Sequence, residues 1–462
     1  MRSFSSLMGV EKMKLFKRVC LSWIAFALVI SMIAAGLPTQ AVQAQTNFDV
    51  DAESAILIEA NTGKILFKKN VDVPLPPASM SKMMTEYLVL EAIGQGKFKW
   101  DTVVRASSYA HYLGALDGTS RVWLADGEER TIEELYTALA VYSANDATVA
   151  LAEMVAGSEG SFVEIMNQKA KELGMTNTKF VNSTGLPNKM LGKYISHGSA
   201  EDENYMSAKD TAILAQALVT KYPEVLRFSS IPEKPADYFN GVRMINWNWM
   251  LVGHPEGQAK NHTYVGLDGL KTGYTDLAGY CFTGTAQKDG MRLISVVMRS
   301  KTMASRFTDT KKLLDYGFDH YTYKEMAKEG ATLLDQKTIP VAKGVEEEVP
   351  VALGGPIYSV IKKNEEDLYK LETTLKPELL DPSGVLLAPV AQGDVVGEVV
   401  LKYTGEQQYE YIVQGMNQEK ADLVAQQAVE KAGWFRLFMR SIGNFFSGVW
   451  TSITDSIQGL FS

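Results

Sequence analysis

Ser79 and Lys82 stand three residues apart in Pro77-Ala78-Ser79-Met80-Ser81-Lys82, a pair that could perform nucleophilic chemistry without a histidine. A serine hydroxyl is a weak nucleophile until a neighbouring base takes its proton. The prolines between Val73 and Pro77 exclude helix ahead of the pair, and Met83 to Ile93 carries helix formers with apolar residues at helical spacing. Proline just before a helix start is the favoured order, so the spacing predicts Ser79 in a first helical turn. Lys82 then shares its face, within reach of the hydroxyl. Taken alone the motif is weak, because about two Ser-x-x-Lys matches arise by chance in a chain of this length. A second match, Ser359-Val360-Ile361-Lys362, falls in a stretch that reads as strand and turn. The bland reading of Ser79 is a helix cap, and of Lys82 a solvated lysine. Two further triplets, Ser143-Ala144-Asn145 and Lys271-Thr272-Gly273, change that balance.

The elements that must position these residues follow from pattern. Ile56-Leu57-Ile58 and Ile65-Leu66-Phe67, separated by Asn61-Thr62-Gly63-Lys64, read as a β-hairpin ahead of the serine. A long helical pattern runs from Ile132 to Ala156, opened by Thr131 with Glu134 as a capping box, and falters at Ser143 to Asp146. Serine and asparagine there favour a turn between two helices. Residues 162–173 and 207–220 read as helices, with Lys179 to Pro187 a loop between them. From Gly266 to Met298 the texture is strand, with Gln287-Lys288-Asp289-Gly290 as a turn, and a helix follows from about Ser305 to Tyr316. Strands at both ends around a helical middle imply one sheet with an inserted helical subdomain.

The chain has 462 residues, 46% of them apolar and 22% charged, with a net charge of −8. That is room for two or three folded units. The acidic balance and the lack of a Gly-rich phosphate loop argue against nucleic-acid binding. Five scattered histidines offer no metal-ligand spacing, so neither metal nor cofactor is expected. Lys12, Lys14, Lys17 and Arg18 precede the apolar run Val19–Leu37 and the small-residue end Ala41-Val42-Gln43-Ala44, the layout of a secretory signal over 1–44. An uncleaved anchor is the alternative reading of this run. The exported body retains one cysteine, Cys281, which reads as a buried strand residue. After Tyr323 short alternating runs suggest a small β domain over 324–420. From 421 to 462 the chain reads as an amphipathic helix, with Phe435, Phe438, Ile442, Phe445, Phe446, Val449, Ile453 and Ile457 on one stripe. It suits the membrane interface, or alternatively a protein surface.

The three motifs, in this order behind an export signal, resemble the S-x-x-K, S-D-N and K-T-G signature of penicillin-binding proteins and class A β-lactamases, with Ala144 in place of the aspartate at a central position that varies among penicillin-recognising enzymes. Their surroundings, with Phe180-Val181-Asn182-Ser183-Thr184-Gly185-Leu186, Asp268-Gly269-Leu270-Lys271-Thr272-Gly273 and the terminal helix, resemble the low-molecular-mass D-alanyl-D-alanine carboxypeptidases over roughly residues 46–462. The resemblance implies an α+β fold: a penicillin-recognising, β-lactamase-like peptidase domain over 45–323, with an antiparallel sheet and a helical subdomain. A small all-β domain and a C-terminal amphipathic helix would follow. It implies a peptidoglycan stem peptide ending in D-Ala-D-Ala as substrate, β-lactams as acylating inhibitors, and a place on the outer face of the cytoplasmic membrane, held by that helix.

In this reading Ser79 attacks, and Lys82 must be neutral to accept the proton. Bringing a lysine from ~10.4 to near 7 takes roughly 4 to 5 kcal/mol of differential stabilisation. Burial, the positive helix N-terminus and the charge of Lys271 all push that way. Ser143 is suited to pass a proton to the leaving amine, Asn145 to hold the substrate amide, and Gly273 to leave room for a substrate lying along the strand. The family pattern implies an oxyanion hole from the N–H groups of Ser79 and Tyr274, and a carboxylate site from Thr272 and Arg306. The bland reading of Arg306 is a surface ion pair. Relatives often carry an arginine where Trp247 stands, so that loop receives no role. The rival readings are a β-lactamase, whose Glu-x-x-x-Asn loop has no match between Asn145 and Lys271, and a non-hydrolytic penicillin sensor or wall-binding module. A Ser-His-Asp hydrolase lacks its G-x-S-x-G elbow here.

Overall fold

The structure, a computed structural model, describes residues 48–333, 337–413 and 419–442. The export segment expected over 1–44 and the tail beyond 442 lie outside them.

The hairpin ahead of the serine forms as expected, with β1 (Ser54–Glu59) antiparallel to β2 (Ile65–Lys69). After the prolines a 3₁₀ turn, Ala78–Ser81, leads into helix α1 (Lys82–Gly94). Helix α2 (Ile132–Tyr142) opens on the Thr131–Glu134 capping box and α3 (Asn145–Ala156) follows immediately, with Ser143 between them. Helices Glu159–Glu172 and Ala208–Lys221 complete the main helical packing. Three strands then close the sheet: β3 (Leu267–Thr275), β4 (Gly279–Lys288) and β5 (Met291–Ser300). Helix α4 (Met303–His320) ends this part of the chain.

The sheet is antiparallel in the order β2-β1-β5-β4-β3, so β1 pairs with β5 across the whole helical insertion and β3 lies at an edge. Every residue of β1 is buried, because both faces of the sheet are covered. Ile56 and Ile58 join the core of the helical subdomain. On the opposite face Leu57 and Leu293 press against Gly317 of α4, where an added Cβ would stand 2.5 Å from Leu293. Cys281 lies inside β4 with no exposure, and burial pushes its thiol up to about 11, as suits an inert core residue.

The following residues form the expected small β domain. Tyr321–Ala327 pairs with Ile357–Lys362, and a six-stranded sheet holds Thr338–Ala342, Glu348–Leu353, Tyr369–Leu375, Leu386–Leu387, Val395–Tyr403 and Lys420–Ala425. The helix expected from 421 therefore starts later. Lys420–Ala425 alternates with a period of two, buries Leu423 and Ala425, and pairs on both sides; helix begins only at residue 434. The second Ser-x-x-Lys match lies in the strand Ile357–Lys362, where positions i and i+3 point to opposite faces. Its serine bonds the Glu419 carboxylate and its lysine pairs with Glu365.

Lys64, in the β1–β2 turn, is 1% exposed and ties this domain to the first hairpin. Its Nζ lies 3.1 Å from Glu419 and donates to the Val360 carbonyl at 2.8 Å. The Ile65 N–H donates to the Glu410 carbonyl, and the Ile412 N–H to that of Gly63.

Two close approaches fix the serine turn. A Cβ at Gly273 on β3 would stand 2.3 Å from the Pro77 carbonyl oxygen, and one at Gly185 would stand 1.9 Å from that of Ala78. Ala78 itself takes a left-handed conformation, with φ of 48°, which a residue with a Cβ adopts at some cost. The turn is thus clamped between the edge strand and the Asn182–Gly185 loop. Gly273→Ala must displace the Pro77–Ala78 backbone, at about 1–3 kcal/mol of overpacking. We expect a melting temperature lowered by several degrees. An alanine protein that melts like the wild type would show that the clamp is loose.

Candidate active site

Ser79 is partly exposed at the mouth of a cleft of about 870 Å³, and Lys82 is fully buried below it. The Lys82 Nζ has three neighbours: Ser79 Oγ at 2.9 Å, Asn145 Oδ1 at 2.7 Å and the Thr184 carbonyl oxygen at 2.7 Å. Two of these are carbonyl oxygens that can only accept. A neutral amine has two N–H groups and one lone pair. Its N–H groups satisfy the two carbonyls, and its lone pair is left facing the Ser79 hydroxyl. Burial first, and then the charge of Lys271, hold this amine well below the usual lysine range, while Glu86 and Asp146 pull the other way.

Ser143 caps α2 in a left-handed conformation, with φ of 62°. The kink lets α3 restart at once and turns Asn145 inward. Asp146 accepts from the N–H groups of Val122 and Leu124, fixing the preceding loop, and Ser120 of that loop accepts from both the backbone N–H and the Nδ2 of Asn145. The Asn145 amide, expected to hold substrate, is thus also a clamp on Lys82: its oxygen serves the amine and its nitrogen serves Ser120. One lone pair and one N–H of that amide are left for a ligand.

Lys271 on β3 is 3% exposed, with Nζ 2.8 Å from Ser143 Oγ and 3.2 Å from the Thr272 carbonyl. Burial lowers it to about 8, so near neutral pH it keeps its proton, while Lys82 is held well below the usual lysine range by burial and by the charge of Lys271. Thr272 lines the cleft beside it, and Tyr274 stands half exposed at the rim, stacked on Tyr280 at 4.4 Å.

One expectation changes here, and one alternative drops out. The room made by Gly273 is occupied by the serine turn, because the missing side chain points at Pro77 and not at the cleft. Arg306 is no surface ion pair: it is 2% exposed, lines the cleft, and donates to the Gly273 carbonyl at 3.3 Å. Its Nε has no partner among the described residues, and burial pushes the guanidinium down to about 10. A buried cation in that state is suited to an incoming carboxylate.

The structure therefore brings Ser79, Lys82, Ser143, Asn145, Lys271, Thr272, Gly273, Tyr274 and Arg306 together around one cleft wall. Sequence reasoning missed two contributors. The Thr184 carbonyl takes one Lys82 N–H, and a backbone group carries no side-chain signal. Trp247, given no role, lines the cleft, stacks on Tyr142 and donates its Nε1–H to the Tyr142 carbonyl at 3.3 Å. It thereby satisfies a carbonyl at the end of α2, next to Ser143.

Comparison with known proteins agrees with this geometry. Residues 39–302 match the family model for D-alanyl-D-alanine carboxypeptidase, and residues 321–431 match the C-terminal domain of penicillin-binding protein 5. The D-alanyl-D-alanine carboxypeptidase DacF of Bacillus subtilis is 35% identical over 400 residues, covering 86% of this chain and 90% of the relative. DacA of Escherichia coli is 33% identical, over 77% of this chain and 81% of its own. Among solved structures, a peptidoglycan synthesis regulatory factor (PBP3) from Streptococcus pneumoniae superposes with a TM-score of 0.68 at 35% identity, over 83% of this chain and all of the other. Penicillin-binding protein 5 from Haemophilus influenzae gives 0.65 at 29% identity, over 83% and 98%. With its serine turn, its buried lysines and both matched domains in place, the chain belongs to the D-alanyl-D-alanine carboxypeptidase family of low-molecular-mass penicillin-binding proteins.

Proposed function

We propose that this serine-type D-alanyl-D-alanine carboxypeptidase removes the terminal D-alanine of a peptidoglycan stem peptide through an acyl-enzyme on Ser79. The observation that carries the reading is the buried Lys82 amine, held by two carbonyl oxygens with Ser79 Oγ as its third neighbour at 2.9 Å, so that in its neutral form the lone pair faces the serine. Ser79 attacks the carbonyl between the two D-alanines as Lys82 takes its proton. The Ser143 hydroxyl gives a proton to the leaving amine and recovers one from the Lys271 ammonium it faces at 2.8 Å. Water then attacks the ester, giving a proton that returns through Ser143 to Lys271, while Lys82 hands the proton it took back to the departing Ser79 oxygen. The N–H groups of Ser79 and Tyr274 are assigned to the oxyanion, where one donor is worth ~10²–10³ in rate. Lys271, Thr272 and Arg306 are assigned to the terminal carboxylate. β-Lactams would acylate the same oxygen.

The chain's own tail supports a membrane-surface location. No helix among the described residues is long and apolar enough to cross a membrane. At the start of the helix over 434–442, Trp434, Phe435, Phe438 and Met439 are exposed, while Arg440 binds Glu347 at 2.5 Å and the carbonyls of Gly344 and Val345. An apolar face held outward beside the β domain suits an interfacial anchor.

Three outcomes test this reading. Penicillin should leave a persistent covalent mass on the peptide containing Ser79, and Ser79→Ala should abolish it while D-alanine release falls by at least about 10³-fold; release that survives the substitution removes the serine from the mechanism. D-Alanine release should follow a bell in pH. It rises as Lys82 loses its proton, below the ordinary lysine range, and falls near pH 8 as Lys271 loses the charge that holds the carboxylate. A rate still climbing well above that pH would contradict the assignment of Lys271. Removing the residues from 434 onward should release the protein from anionic vesicles with its catalytic rate unchanged; continued sedimentation with vesicles would place the anchor elsewhere.

A further inference from the structure

The cleft that holds Arg306 also carries acidic groups, Glu201, Glu203 and Asp276. Glu201 and Asp276 are exposed, and Asp276 accepts from the Tyr274 hydroxyl at 3.2 Å. Surface carboxylates of that kind are at ease in water. Glu203 differs, because it lines the cleft with only 9% of its surface exposed. Its Oε2 lies 3.5 Å from Thr275 Oγ1, and among the described residues it forms no ion pair. Lys189 lines the same cleft, but its own side chain is exposed. Burial raises the Glu203 carboxyl above its ordinary range, and Thr275 and Lys189 offset this only in part. An ionised carboxylate has about four acceptor positions, and one long hydroxyl contact is what the described residues supply. Covering a charge with so little compensation is costly until a cation shares the space.

Glu203 is also held firmly. The Asp202 carbonyl before it accepts from the Asn188 N–H at 3.1 Å. Asn204 after it donates to Ser81 Oγ at 2.9 Å and accepts from the Val181 N–H at 2.7 Å. Its backbone is thus tied to the serine turn, which sets where the carboxylate stands relative to Ser79.

Thr275 marks the place along the substrate that this carboxylate faces. In the reading given above, the terminal carboxylate lies at Lys271 and Thr272 and the scissile carbonyl at the N–H groups of Ser79 and Tyr274. A peptide lying along the edge strand β3 then continues past Thr275. Strand residues advance about 3.4 Å each, so the residue two before the terminal D-alanine comes level with Thr275. We propose that Glu203 is a specificity-determining residue, receiving a primary ammonium on the side chain of that stem-peptide residue. The cleft then recognises its substrate by a carboxylate at one end and an amine at the other, and the buried charge of Glu203 is matched only when such a peptide is bound.

The inference rests on the proposed release of D-alanine at Ser79, and its test compares two peptides that differ in one charge. These are N-acetyl-lysyl-D-alanyl-D-alanine and the same peptide acetylated on the lysine side chain. The full chain should release D-alanine from the free-amine peptide with kcat/KM about tenfold higher, as suits one charge-assisted hydrogen bond in a covered site. In Glu203→Gln that ratio should fall to near one, and a ratio is blind to a general loss of activity. A wild type that takes both peptides equally overturns the proposal, with or without a folded variant. So does a glutamine variant that keeps the full preference. If neither peptide yields D-alanine, the reaction assigned to Ser79 fails. The pair then serves as competitors of Ser79 acylation by a fluorescent penicillin, where the free amine should compete better in the wild type and equally in Glu203→Gln; any other ranking refutes the role of Glu203.

Discussion

The site depends on one hydrogen-bond arithmetic, that of a buried amine with two carbonyl oxygens and one hydroxyl around it. An ammonium placed there would spend its third N–H on the Ser79 oxygen, leaving no lone pair to take the serine proton. Burial and the charge of Lys271 oppose it against the weaker pull of Glu86 and Asp146. The neutral amine fits all three neighbours. Those neighbours come from separate elements: the serine turn, the start of α3 and the Asn182–Gly185 loop. Around the last of these, Asn182 Oδ1 accepts from the N–H groups of Thr184 and Gly185, and Glu159 accepts from Ser183. The polar scaffolding far from the cleft therefore serves to point a single carbonyl at Lys82.

The same economy explains why a fold with a covered sheet tolerates so many buried polar groups. Ser81, Asn182, Asn204 and Asp146 have no appreciable exposure, yet each is satisfied by backbone or by another of the set. Such groups cost little when fully bonded and much when one partner is lost. The rigidity they give to the serine turn is what allows Ala78 to hold a left-handed backbone next to the nucleophile.

Much of this could be read from the residues, because local rules and local structure agreed. Thr131 with Glu134 is a capping box in both, and the polar break at Ser143 became the turn that presents it. What escaped was non-local or directional. The role of Gly273 depends on which way a missing side chain points, and only the register of β3 against the serine turn decides that. The residues Lys82 to Leu90 of α1 are all buried, so Glu86 breaks no apolar stripe and gives no signal of its own. The strand Lys420–Ala425 was absorbed into a helical tail because its six residues are bounded by polar runs on both sides and its partners lie far away in sequence. Arg306 resembled any charged residue near a helix start until the close approach of Tyr280 and Gly273 covered it.

The pairing of β1 with β5, and of Lys64 with Glu419 some hundreds of residues later, has a consequence for the order in which the molecule comes into being. The first strand made finds β2 at once but its other neighbour, β5, only late, since contacts so distant in sequence form only after long loops close. Ser79 leaves the ribosome early, but Lys271, which holds Ser143, comes from a strand made almost two hundred residues later. A nascent chain thus carries its nucleophile as an ordinary hydroxyl, and reactivity arrives only when the final edge strand docks.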